Sequence, residues 1–168
     1  ENGTAVSREL YLGKYEVREI TAPHGMVLNP EPHCVELVYA GQNVAVTETA
    51  TSFENERQKV EISLVKSIEQ NERFGIGTNG EMKNISFGLF AAEEIVSASG
   101  TSIPANGLVE IISLNEDGTA KIKTDLPFGS YYVQELATDS HYKLSDTKYS
   151  VTFGYADQDT AVVKIAAN

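Results

Sequence analysis

The chain has 168 residues, 41% of them hydrophobic, and a formal net charge of −11. It is long enough to bury a core, and too acidic to favour nucleic acid or an anionic membrane surface as partner. Its single cysteine, Cys34, excludes an intrachain disulfide and a cysteine-based metal site, and no apolar run approaches the length that spans a bilayer.

Taken in chain order, nearly every segment reads as strand. TAVSREL (4–10), KYEVREI (14–20), CVELVYAG (34–41) and NVAVTETATSF (43–53) come first. FENERQK (53–59) is polar and charged and reads as a junction. VEISLVK (60–66) follows, with Val60, Ile62 and Leu64 on one face. Gly75 to Gly80 is a glycine-rich loop that lacks the lysine and helix of a phosphate-binding loop. NISFGLF (84–90) and LVEIISL (108–114) are short strands, and Ala91 to Val96 between them is the best helix candidate. Asn115-Glu116-Asp117-Gly118 suits a hairpin turn into TAKIKTD (119–125). GSYYVQEL (129–136), YSVTFGY (149–155) and TAVVKIA (160–166) complete the series. Short alternating strands separated by polar turns predict an all-β, antiparallel Ig-like or prealbumin-like sandwich with little helix.

The sequence repeats itself. At an offset of 116 (131 − 15), Gly13, Tyr15, Val17, Glu19 and Leu28 fall on Gly129, Tyr131, Val133, Glu135 and Leu144, and Val35 and Tyr39 fall on Val151 and Tyr155. After a one-residue slip, Gly3-Thr4-Ala5 parallels Gly118-Thr119-Ala120. The second copy is complete, whereas residues 58–115 have no counterpart upstream. The expected organisation is therefore the C-terminal half of one domain over residues 1–57 and a whole domain over 58–168. The opening Glu1-Asn2-Gly3 looks like a cut into a longer protein.

One repeated position is out of character. Tyr131, Val133 and Glu135 share a strand face, as do Tyr15, Val17 and Glu19, so each copy aims an acid where a core residue belongs. Lys66 does the same at the end of the Val60, Ile62, Leu64 face. Buried charges are tolerated when they meet one another. A buried salt bridge between Lys66 and Glu135, or a lysine that snorkels to water, accounts for the pattern without further chemistry.

The segment Gly13-Lys-Tyr-Glu-Val-Arg-Glu-Ile-Thr-Ala-Pro-His-Gly25 resembles the G-x-Y-x-v-x-E-t-x-A-P-x-G-Y stretch of Cna-B-type, or SpaA-like, domains. These are the prealbumin-like repeats of Gram-positive surface adhesins and pilins. ISFGLFAAEE (85–94) is similar to that family's a-x-F-x-L-y strand, and VEISLVKS (60–67) to its lysine-bearing first strand. The resemblance implies an intramolecular isopeptide bond, formed when the lysine attacks an asparagine amide near the last strand under catalysis by the inward acid. Burial favours a neutral amine nucleophile and a protonated carboxylic acid, which is what such a condensation needs.

By this resemblance Lys66 is the nucleophile and Glu135 the catalyst, with Asn168 as the only terminal candidate for the amide. Its phase is against it, because Ala161, Val163, Ile165 and Ala167 form the apolar face; the alternative is that the family's asparagine lies a few residues further on, which leaves Lys66 and Glu135 an unreacted buried pair. In the first copy Glu19 is the acid and Asn55 the amide, with the partner lysine absent from the chain. The implied role is a stalk or spacer in a cell-wall-anchored extracellular protein, flanked by further repeats, with host matrix or glycan contacts made elsewhere. It is no enzyme beyond a single-turnover self-crosslinking, and it needs no cofactor.

A carbohydrate- or ligand-binding accessory sandwich is the rival reading, with Tyr132 and Tyr142 as its candidate platform. His24, His33 and His141 lack ligand spacing, the acidic turns lack the further ligands of a calcium loop, and no metal site is expected. Cys34 is expected to be a half-buried structural thiol. The half-domain of residues 1–57 should expose the face of Tyr15, Val17, Val35 and Leu37. It is expected to self-associate through that face or to fold against the second domain.

Overall fold

The computed structural model describes residues 3–97 and 99–167. The chain divides into two compact units, residues 1–57 and 58–168. In the first, β1 (Gly13–Val17) and β2 (His33–Leu37) form an antiparallel pair with Tyr15 opposite Val35. In the second lie β3 (Lys59–Val65), β4 (Ser86–Ala91), β5 (Ile95–Val96), β6 (Ser102–Ile103), β7 (Leu108–Ser113), β8 (Thr119–Ile122), β9 (Gly129–Ala137), β10 (Lys148–Phe153) and β11 (Val162–Ala166). Helix among the described residues is confined to two 3-10 turns, Glu72–Phe74 and Glu81–Asn84.

The second unit is a sandwich of a four-stranded sheet, in the order β10-β9-β4-β7, and a three-stranded sheet, β11-β3-β8. Strand alternation builds its core. Val60, Ile62 and Leu64 of β3 meet Phe87, Leu89, Ile112, Tyr131, Val133, Val151 and Phe153 from the facing sheet, all buried. Pairing is antiparallel except between β3 and β11, the first and last strands of the unit, which run parallel with Ile165 beside Ile62.

Ala91 to Val96 is not a helix. Ala91 ends β4 with its N–H donated to Gly107 O, and Ile95 and Val96 form β5, paired with Ile103 and Ser102 of β6, so both ends of the segment are held in strand pairing. Six residues are also too few to nucleate a helix alone. A turn forms at 115–118, where Asn115 N–H donates to Thr119 O and Gly118 adopts φ +79°. It is not the expected hairpin: β7 and β8 lie in different sheets, so the turn carries the chain from one layer of the sandwich to the other. A Cβ at Gly118 would lie 2.2 Å from the Lys66 carbonyl oxygen, so glycine is required there by both backbone conformation and space.

In the first unit, TAVSREL (4–10) and NVAVTETATSF (43–53) form no strand, contrary to their alternation. The second unit shows why. The counterparts of these segments are β8 and β11, and within the three-stranded sheet each pairs only with β3. KYEVREI and CVELVYAG do contain strands, β1 and β2, and their counterparts β9 and β10 pair with each other. Alternation marks a segment able to join a sheet; a neighbouring backbone must still supply the hydrogen bonds.

Candidate functional site

In the second unit the inward acid meets the inward lysine. β3 carries Lys66 just beyond its C-terminal end, where Lys66 N–H donates to Gly118 O at 2.8 Å and ties the residue to the turn before β8. β9 delivers Glu135 from the facing sheet. Lys66 Nζ lies 3.0 Å from Glu135 Oε1, with side-chain exposures of 26% and 1%. The contact is an ion pair by distance, without hydrogen-bond alignment at Oε1. Glu135 Oε2 accepts the Ser145 N–H at 2.8 Å. The lysine thus keeps a route to water while the carboxylate is sealed in the core.

The first unit reproduces half of this arrangement and adds a component. Glu19 Oε2 accepts the Asn29 N–H at 2.7 Å. Asn29 and Ser145 are separated by the same 116 positions as Glu19 and Glu135, so the repeat extends to the backbone group that aims the carboxylate. Asn55 then donates its Nδ2 to the same Glu19 Oε2 at 2.7 Å and to Val27 O at 3.0 Å. One unit therefore presents an amine against an acid, and the other an acid against an amide. Asn168, the amide candidate of the second unit, lies outside the described residues.

Those contacts have definite chemical capacity. An amine held against a carboxylate can pass it a proton and become nucleophilic. A carboxyl group touching an amide nitrogen can return that proton as the nitrogen leaves.

Several buried polar residues elsewhere in the second unit escaped the sequence reading. Gln58, 2% exposed, donates Nε2 to Asp157 O at 2.9 Å and Thr160 O at 2.6 Å, and its Oε1 accepts the Ala156 N–H at 2.8 Å. It fastens the start of β3 to the loop that leads into β11. Buried Glu81 caps its glycine-rich loop by accepting the Gly77 and Asn79 N–H groups at 2.8 and 2.7 Å. Its own backbone N–H foremost, then the Asn79 and Gly77 N–H groups, hold its carboxyl below the ordinary range. Asp139 accepts Asn84 Nδ2 at 2.7 Å and the His141 N–H at 3.1 Å, and those bonds, the Asn84 one foremost, lower its pKa. Only the Ser145 and Asn29 positions had a usable sequence signal, the repeat offset itself.

Tyr132 and Tyr142 do not offer an open aromatic platform. Tyr132 is buried, stacks on Phe90 with centroids 5.1 Å apart, and carries Lys148 Nζ 4.1 Å from its ring centroid. Tyr142 donates its hydroxyl to Glu69 O at 2.8 Å. Cys34 is exposed rather than half-buried, because it sits opposite Glu16 on the polar face of the β1–β2 pair. His141 Nδ1 lies 2.6 Å from Asp139 Oδ1, and among the described residues no group of three or more side chains could hold a metal ion.

Comparison with known proteins agrees with this architecture. The family model for the SpaA prealbumin-like fold domain matches residues 1–52 and 70–168. Among solved structures, the Bacillus anthracis TIE protein is similar over 94% of this chain and 25% of its own, at 23% identity and TM-score 0.55. The pilus 2b backbone protein of group B streptococcus matches over 89% of this chain and 50% of its own, at 16% identity and TM-score 0.41. A variant of BcpA, the major pilin subunit of Bacillus cereus, matches over 81% of this chain and 31% of its own, at 16% identity and TM-score 0.35. The chain thus spans between a quarter and a half of the length of these structures. No curated protein matches it. With nearly its whole length covered by the family model, the chain belongs to the SpaA prealbumin-like fold domain family.

Proposed function

We propose that this chain is a load-bearing spacer of a bacterial surface fibre or adhesin, built of prealbumin-like repeats that cross-link themselves. Residues 1–57 correspond to the second half of a repeat and 58–168 to a whole one. The observation that carries the reading is the recurrence of one inward acid in two settings, beside Lys66 in one unit and beside Asn55 in the other. Together they supply an amine, an acid and an amide, the components of a lysine–asparagine isopeptide bond.

In the second unit the reaction joins Lys66 Nζ to the side-chain carbon of an asparagine following β11, for which Asn168 is the candidate in this chain, and releases one ammonia, with Glu135 as proton carrier. The parallel β3–β11 ladder supports the mechanical role. Tension applied at the two ends of the unit pulls β3 and β11 in opposite directions along their shared ladder, so its hydrogen bonds resist together. A covalent bond from Lys66 to the end of β11 would shield the remaining strands from that tension. The role is structural, with one turnover per molecule, at an extracellular, wall-anchored location. Adjacent repeats are its partners, and any glycan or host-matrix contact belongs to other regions of the protein.

Intact-mass spectrometry of the full chain tests the chemistry. The expected result is the sequence mass less one ammonia, with the full sequence mass restored in Glu135→Ala and in Lys66→Arg. A wild-type chain of unreduced mass, or a loss that persists in Glu135→Ala, overturns the isopeptide assignment.

A further inference from the structure

The lysine and the acid of the second unit stand at the roots of two loops. Lys66 opens the segment 66–85 between β3 and β4, and Glu135 lies near the end of β9, from which residues 138–147 lead into β10. Ser145, whose N–H is held by Glu135 Oε2, belongs to the second loop. The two loops are bonded to each other at two points. Asn84 donates Nδ2 to Asp139 Oδ2 at 2.7 Å, and Tyr142 donates its hydroxyl to Glu69 O at 2.8 Å.

The glycine-rich stretch 75–80 is shaped to receive the tyrosine. A Cβ at Gly77 would lie 2.7 Å from Glu69 O and 3.0 Å from Tyr142 Oη, and its φ of +78° also favours glycine. Buried Glu81 fixes the stretch by accepting the Gly77 and Asn79 N–H groups. Burial, then the charges of Glu81, Asp139 and Glu69, raise the Tyr142 pKa, which keeps its hydroxyl a donor.

The repeat separates these contacts from the turn that carries them. Pro23 and Met26 stand 116 positions before Asp139 and Tyr142. Met26 N–H donates to Pro23 O at 3.0 Å, as Tyr142 N–H does to Asp139 O at 2.9 Å. The turn therefore forms without an aspartate or a tyrosine. The Asp139 and Tyr142 side chains are surplus to it and act between the loops.

We propose that Asn84, Asp139 and Tyr142 are positioning residues for Glu135. They moor loop 138–147 to loop 66–85, and the mooring keeps the Ser145 N–H on the acid and the acid against Lys66. Ser145 follows Tyr142 by three residues, a reach of at most about 10 Å, so fixing the tyrosine confines the Ser145 N–H. A carboxylate that is 1% exposed has few other partners to take in exchange. The consequence for amide condensation rests on the isopeptide reading, whereas the mooring does not.

Hydrogen exchange of the full chain, resolved by residue, tests the coupling in Tyr142→Phe, Asp139→Ala and the double variant. Gln58→Ala, which loosens a clamp outside these loops, serves as the control for lowered stability. In the double variant the Ser145 amide should exchange at least about tenfold faster relative to the Ile62 and Val133 amides, with smaller changes in each single variant. Coupling is reciprocal, so Glu135→Ala should speed exchange of the Tyr142 amide. An unchanged Ser145 amide, an equal relative change in Gln58→Ala, or a Tyr142 amide indifferent to Glu135→Ala overturns the mooring. Intact mass of the same samples separates it from the cross-link. A wild type that loses no ammonia while Ser145 responds keeps the mooring and overturns the isopeptide reading. Ammonia loss as complete in the double variant as in the wild type overturns a part for the mooring in the reaction.

Discussion

Replacing Lys66 by methionine keeps most of the stem that packs at the end of β3 and removes the charge that faces Glu135. The carboxylate is 1% exposed, and after the change its Oε2 retains the Ser145 N–H while Oε1 loses its ion-pair partner. Breaking a fully buried pair costs about 3–5 kcal/mol, and the 26% exposure of Lys66 places this one at the lower end, about 3 kcal/mol. For a unit of this size that loss lowers Tm by on the order of 12 °C. Glu135→Gln keeps an acceptor for Ser145 and removes the charge, at about 1–2 kcal/mol. Combined with Lys66→Met it should cost little more than alone, a coupling of about 2–3 kcal/mol between the two positions. Urea unfolding of the four proteins, followed by circular dichroism in the β-sheet band, measures the cycle. Samples are first sorted by intact mass, because a cross-linked wild type would enlarge the apparent effect. A cost below about 1 kcal/mol for Lys66→Met, as for an exposed ion pair, or strict additivity would refute the site.

Three further outcomes are expected. Gln58→Ala removes three hydrogen bonds from buried surroundings and should cost about 3 kcal/mol, with faster hydrogen exchange over 156–161; a cost under about 1 kcal/mol would show that the clamp carries nothing. Gly118→Ala should destabilise by more than about 2 kcal/mol because its Cβ meets the Lys66 carbonyl, whereas Gly80→Ala, with similar φ and open space, should cost about 1 kcal/mol; equal effects would remove Gly118 from the positioning of Lys66. Asp139, Asp157 and Glu81 have pKa values lowered in the fold, so the unfolded chain binds their protons first as pH falls. Their stabilisation is present above about pH 4 and is lost below it, and Asp139→Asn should flatten that acid limb of stability against pH; an unchanged limb would contradict the Asn84 and His141 contacts.

The sequence showed most of the sandwich because strand alternation and turn chemistry are local, and each core face is written into its own strand. Val60, Ile62 and Leu64 could only face inward together, and Asn115 to Gly118 could only turn. The meeting of Lys66 with Glu135 was legible for a related reason, since two charges on apolar faces of a small sandwich have few other places to go. Gln58 was not legible. A glutamine in a charged stretch looks like surface, and its three partners lie some hundred positions away as backbone groups that carry no side-chain signature. The strands of residues 4–10 and 43–53 failed for the complementary reason. Their alternation describes one side of a pairing whose other side is a separate segment, so pattern alone promised a ladder that no described segment of the first unit completes. The same fact gives the repeat its value as an argument. Because the second unit contains the element that the first lacks, comparing the two identifies β3 as the strand that organises both its neighbours and the acid beneath it. Strand pairing and the setting of the inward acid in the second unit then depend on one segment, and Lys66 at its end is where the two meet.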